Sequence, residues 1–222
     1  MTPEIRAAIV RAANENGLDP AAALAIAERE SGFDPAAHSS KTIRGMFQMR
    51  GDLRRQYGVG DSFDPYAQAK GWGTFFKDNK GEMSRVLGRD VTDEEGYLGH
   101  HFGATRAARM LKMDPATPVD QVFTPYERSI NPHFDKAGTV GALNSSVLGD
   151  ISRRKSKFGG AELPDLASFG SPVEADNAPS NAPQSSAADL DFSSFGSPVD
   201  ASNQSAPDAS SAPDLAQFGR PV

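Results

Sequence analysis

The residue best placed for acid–base chemistry is Glu30, at the end of an Ala-rich helical stretch that Gly32 stops. A polar turn follows, and the chain returns at Gly45-Met46-Phe47-Gln48, one amide among apolar neighbours. A helix ending on a carboxylate, followed by a tight loop carrying Gln, can hold a single acid in a cleft. The helix C-terminus presents the negative end of the macrodipole, which disfavours an ionised carboxylate. Met46 and Phe47 lying over the acid would desolvate it and push the same way. A general acid working near neutrality needs that bias. The bland alternative is an exposed glutamate in a charged helix, beside Glu28 and Arg29.

The other group with titratable chemistry is His100-His101. Adjacent helical residues point about 100° apart, so the plain expectation is one packed ring and one exposed ring. The same geometry makes the pair a poor metal site, and we read no metal or cofactor constellation. The sequence has no cysteine, which excludes disulfides, thiol catalysis and thiolate metal sites.

The elements that must position these groups are helical. Thr2 caps a first helix with Pro3 at its first position, Ile5, Ala8, Ile9, Ala12 and Ala13 on one face, and Gly17 at its end. Asp19-Pro20 repeats that start for the helix carrying Ala23, Leu24, Ala27 and Glu30, whose small residues suit a buried central helix. Residues 33–64 read as loop-rich. A third helix begins at Asp64-Pro65 and runs to about Leu87 despite Gly81, with Tyr66, Ala69, Trp72, Phe75 and Phe76 facing the core. Thr92-Asp93-Glu94-Glu95 fits a capping box. The helix behind it carries Tyr97, Leu98, His100, His101 and Phe102, is interrupted at Gly103, and continues through Leu111. Asp114-Pro115 begins a short connection, and Thr139 to about Lys155 reads as a last helix. No stretch shows convincing period-two alternation, so the fold class is mostly α.

Composition divides the chain. Residues 161–222 hold nine acids and one base, a net −8, which leaves 22 bases against 20 acids, or +2, for the rest. We therefore read a globular domain over residues 1–157 and an acidic Ser/Pro/Ala-rich tail over 158–222 that cannot bury enough apolar surface to fold alone. The near-neutral head argues against a nucleic-acid partner. No run approaches a membrane span, and the N-terminal residues read as an amphipathic helix, not as a secretory leader. The tail contains a repeat at 163–173, 189–199 and 212–222, Asp-Leu/Phe-x-x-Phe-Gly-x-Pro-Val, centred on Phe169, Phe195 and Phe218. Such motifs suit docking, and three copies would gain avidity on a multimeric partner.

The stretch Glu30-Ser31-Gly32-Phe33-Asp34-Pro35-x-Ala37 resembles the E-S-x-F-x-P-x-A signature of the soluble, lysozyme-like (SLT) lytic transglycosylases. Gly45-Met46-Phe47-Gln48 is similar to the family's G-L-M-Q motif, with Met and Phe replacing Leu and Met. Gly99-His100-His101-Phe102-Gly103 stands where many members have A-Y-N-A-G, in a context similar to a variant, virion-associated branch with Y-L-A-H-F-L-G followed by A-A-R-x-L, matched by Ala107 to Leu111. The resemblance spans roughly residues 3–152.

It implies a lysozyme-like helical domain that cleaves peptidoglycan without a cofactor. Glu30 would be the sole catalytic acid/base. Ser31 would orient the substrate or Glu30. Gln48, with the backbone of Gly45, Met46 and Phe47, would line the sugar subsites. His100 occupies the place of a Tyr that hydrogen-bonds the acid, and Tyr97, one turn earlier, is the other candidate for that phenol. The implied reaction cleaves the bond between N-acetylmuramic acid and N-acetylglucosamine and leaves a 1,6-anhydro sugar. Asp52 and Glu95 keep a hydrolytic muramidase open, and the substituted motifs keep open a catalytically inactive glycan-binding or structural protein tethered by its tail. The expected setting is a virion opening the host wall, acting in the periplasm, with a secretion apparatus second.

Overall fold

The computed structural model describes residues 1–159. Residues 160–222, with all three repeats, lie outside the described residues. The described chain is mostly helical: α1 Pro3–Asn16, α2 Pro20–Ser31, α3 Gly51–Gln56, α4 Pro65–Leu87, α5 Asp93–Phe102, α6 Ala104–Lys112, α7 Pro125–Ile130, α8 Pro132–Ala137 and α9 Val140–Ser156. A two-stranded hairpin, β1 Ile43–Arg44 with β2 Met49–Arg50, pairs antiparallel in the register Ile43 to Arg50.

The helix starts follow the caps. The side chains of Thr2, Asp19, Asp64, Thr92 and Thr139 each accept a backbone N–H in the first turn of α1, α2, α4, α5 and α9. Thr92 and Glu95 form both halves of the capping box. Gly17 and Gly32 end α1 and α2 in the left-handed region, where a Cβ would be strained. Two connections hold more structure than the sequence indicates. The stretch 33–64 contains the hairpin and α3, and the stretch 114–139 contains a 3-10 turn, α7 and α8. The three extra helices are six residues each. Helices so short are unstable alone and exist because the surrounding chain packs on them.

The centre of the molecule is α2. Every residue from Ala22 to Ala27 is buried, and α2 packs against α1, α5 and α9. Its alanines let those neighbours approach, and fully burying Leu24 and Ile26 contributes about 1.5–3 kcal/mol each. Beside it, α5 lies so close to α4 that a Cβ on Gly99 would sit 2.6 Å from the Met83 sulfur. This close approach sets α5, and its Tyr97 and His100, against the end of α2. Phe158, on the tail side of the composition break, packs edge-on against Phe33 at 6.1 Å. The folded unit therefore includes it.

Candidate functional site

The last turn of α2 sends three consecutive charged residues to three destinations. Glu28 pairs with Arg154 and Lys157. Arg29 donates through Nε to the Tyr97 hydroxyl at 2.7 Å and through its terminal nitrogen to Asp150 of α9. Glu30 turns inward: its side chain is 6% exposed, and the Tyr97 hydroxyl donates to its Oε1 at 2.5 Å. The exposed-glutamate alternative is therefore wrong. The phenol reaching the acid is that of Tyr97. His100 stands behind, with Nε2 3.7 Å from the same oxygen.

Glu30 opens into a cleft lined by Gln48, Met49, Arg50, Leu53, Phe75, His100 and His101. Among the described residues no other one lining the cleft is a carboxylate. The apolar walls are Met49, Leu53 and Phe75, not the expected Met46 and Phe47. Those two side chains are core: Met46 is fully buried, and Phe47 stacks on Trp72 with centroids 4.0 Å apart. Their loop is nonetheless tied to Glu30's helix. Ser31 donates through its hydroxyl to the Met46 carbonyl at 2.9 Å, so it fastens the loop to α2 and makes no hydrogen bond to Glu30. The Met46 N–H is taken by buried Gln68 of α4 at 2.8 Å. Gly45, with φ 85°, has no room for a side chain, because a Cβ would lie 2.4 Å from the Gln68 oxygen. Gln48 lines the cleft in a left-handed conformation, φ 44°, with its amide nitrogen folded back to the Gly45 carbonyl at 2.8 Å.

Both histidines are buried, contrary to the expectation of one exposed ring. His101 is 4% exposed and the His100 side chain 9%. The ring of Tyr97 stacks near both. Burial holds the His100 imidazole below its ordinary pKa, opposed by Glu30 and aided by Arg29. Burial holds His101 well below, with Arg29, His100 and His133 adding to the effect. Both rings are therefore neutral near pH 7. Burial, then Glu30, raises Tyr97 well above the usual phenol range despite Arg29, so its hydroxyl keeps its proton and remains a donor. Among the described residues no group of three His, Asp or Glu side chains is arranged to hold a metal ion.

The two other carboxylates considered from sequence do not line the cleft. Asp52 is bound by Arg50, which lowers it to about 2. Glu95 is engaged by the Thr92 cap and by Arg89 at 2.7 Å. The sequence reading missed Arg29, Arg50, Leu53 and Phe75 as site residues.

A match with known families falls on this part of the chain: residues 7–83 match the transglycosylase SLT domain. The match covers Glu30 and the Gly45–Gln48 loop, while Tyr97 and His100 lie beyond it. No curated protein matches the chain. An SLT domain has the lysozyme-like helical fold, and its presence supports a lytic-transglycosylase-type activity on cell-wall peptidoglycan. No helix among the described residues is long and apolar enough to cross a membrane.

Proposed function

We propose that this protein is a peptidoglycan lytic transglycosylase with Glu30 as its only catalytic acid/base. The observation that carries the reading is a cleft, built where residues matching an SLT domain meet α5, whose one carboxyl among the described residues is hydrogen-bonded by a buried phenol. Glycosidases that use two carboxylates need the second at the scissile bond. Here the mechanism uses one carboxyl twice. Glu30 protonates the oxygen linking N-acetylmuramic acid to N-acetylglucosamine. The sugar's own acetamido group supports the positive charge that develops at C1. Glu30 then takes the proton from the muramyl 6-hydroxyl as that oxygen attacks C1, and the 1,6-anhydro end forms without net uptake of water. Tyr97 holds the carboxyl by its Oε1. Gln48 and the neutral His100 line the cleft around it. The Met46 backbone is engaged within the fold, so it leaves the subsites to Gln48, Arg50 and Phe75.

In this reading the folded unit, which extends through Phe158, is the enzyme, and the acidic sequence beyond it is the tether. The repeats around Phe169, Phe195 and Phe218 dock the protein on a multimeric carrier, and a virion that opens the host wall during genome delivery fits both parts. Digestion of purified sacculi, read by mass spectrometry beside Glu30→Gln, tests the enzyme. Anhydro-ended muropeptides that disappear with the substitution support it. Reducing ends or no release would reject it. Deleting residues 160–222 should leave digestion of free sacculi intact and abolish incorporation into the carrier.

A further inference from the structure

We infer that Arg29 is a positioning residue that fixes the direction of the Tyr97 hydroxyl and thereby selects which oxygen of Glu30 carries the transferred proton. The inference rests on the transglycosylase reading and assigns a role that neither the family match nor the sequence motifs contain.

The argument is one of donor and acceptor inventory. A phenol has a single proton to give, and an arginine has only donors. Within hydrogen-bond distance the Tyr97 oxygen meets Arg29 Nε at 2.7 Å and Glu30 Oε1 at 2.5 Å. Arg29 can only donate, so the phenol oxygen must accept from it. The one phenolic proton is then committed to Glu30 Oε1. A carboxyl oxygen that accepts that proton is disfavoured as the site of the acidic proton, because protonation makes it the weaker acceptor of the two. The acidic proton is therefore favoured on Oε2. Without Arg29 the hydroxyl is free to rotate, and either oxygen can be protonated. A cation donating into the phenol oxygen also strengthens the phenol as a donor.

Arg29 is itself held in place. Its terminal nitrogen is hydrogen-bonded to Asp150, which also takes Arg154 at 3.2 Å, and its guanidinium lies 5.6 Å from the Tyr97 ring centroid. Asp150 offsets a positive charge that would otherwise act on Glu30 undiminished. The groups facing this network are Glu30 and Arg29 on α2, Tyr97, His100 and His101 on α5, His133 on α8, Asp150 and Arg154 on α9, and Arg50 across the cleft. Lysine is no substitute, because one ammonium lacks the planar fork that spans Tyr97 and Asp150 together.

The test is a double-mutant cycle in the full-length chain, with Arg29→Met, Tyr97→Phe and the double variant, each checked by thermal melt. A residue that acts only through Tyr97 adds nothing once the hydroxyl is gone. Arg29→Met alone should lower kcat by about tenfold, the equivalent of one charge-assisted hydrogen bond, with KM unchanged. In the Tyr97→Phe background it should lower kcat by less than about twofold on the same scale. Equal losses in both backgrounds would overturn the inference and leave Arg29 as a structural partner of Asp150. If Arg29→Met does not fold, Arg29→Lys serves, with the same pattern expected. A readout without substrate separates this from the enzyme reading. The Tyr97 hydroxyl proton should be protected from exchange by NMR in the wild type and exposed in Arg29→Met. Equal protection in both would refute the positioning role even where sacculi are digested, and unequal protection would sustain it even where they are not.

Discussion

Gln68 is the residue through which the cleft loop is held, and replacing it is the sharpest test of how the fold builds the site. The side chain is 2% exposed. Its oxygen accepts from Met46 N–H at 2.8 Å, and its nitrogen donates to the Pro35 carbonyl at 2.9 Å and to the Ser62 carbonyl at 3.0 Å. One amide thus joins the turn after α2, the cleft loop and the approach to α4. Gln68→Leu keeps the volume and removes all three bonds. The Met46 N–H is then left buried without a partner, which costs about 1–3 kcal/mol. Pro35 and Ser62 are partly exposed, so water can take over there and each costs less, about 0.5 kcal/mol. The expected loss is about 3 kcal/mol, and for a domain of this size that lowers Tm by about 6–12 °C. Circular dichroism melts measure the shift. Digestion of sacculi at 20 °C, where the variant remains folded, should fall as well, because Gln48 is two residues from the released anchor. A Tm within about 2 °C of wild type, against the per-kcal shift expected for this size, would refute the view that Gln68 holds the loop.

Three further outcomes follow from the same geometry. Gly45→Ala should destabilise by at least about 2 kcal/mol, since it combines a positive φ with a Cβ pressed on Gln68, and chemical denaturation measures it. The imidazoles of His100, His101 and His133 all have pKa values lowered chiefly by desolvation, so the unfolded chain binds protons more readily than the fold does. Their contribution is fully present above about pH 6.5 and is lost as pH falls toward the lower folded values. His101→Asn should flatten the fall in Tm between pH 7 and 5, and an unchanged slope would contradict the assignment. Tyr97→Phe should lower kcat by about tenfold or more, the worth of one charge-assisted hydrogen bond to Glu30, and unaltered kinetics would remove Tyr97 from the site.

The long helices were legible because their ends are written in local chemistry. Thr, Asp and Pro start them and Gly17 and Gly32 stop the first two, independent of the rest of the chain. The six-residue helices α3, α7 and α8 were not, because their stability comes from packing and leaves little periodicity to read. Within the site, Glu30 was legible as a candidate from the resemblance of its motif, since its position before Gly32 alone left an exposed glutamate open. The choice between Tyr97 and His100 was not. The two are three residues apart on α5 and share a face, and only the placement of α5 against α2 decides which reaches the acid. Met46 and Phe47 show the same limit from the other side. An apolar pair beside a cleft motif can line the cleft or anchor it, and the stacking of Phe47 on Trp72 makes it the anchor. Arg29 was unreadable for a simple reason: its partners Tyr97 and Asp150 are 68 and 121 residues away.

The measurement that bears most directly on the central claim is the composition of the fragments released from sacculi by the wild type and by Glu30→Gln. The account predicts soluble muropeptides with 1,6-anhydro ends from the wild type and none from the variant. Reducing ends from the wild type, or undiminished release by Glu30→Gln, would contradict it.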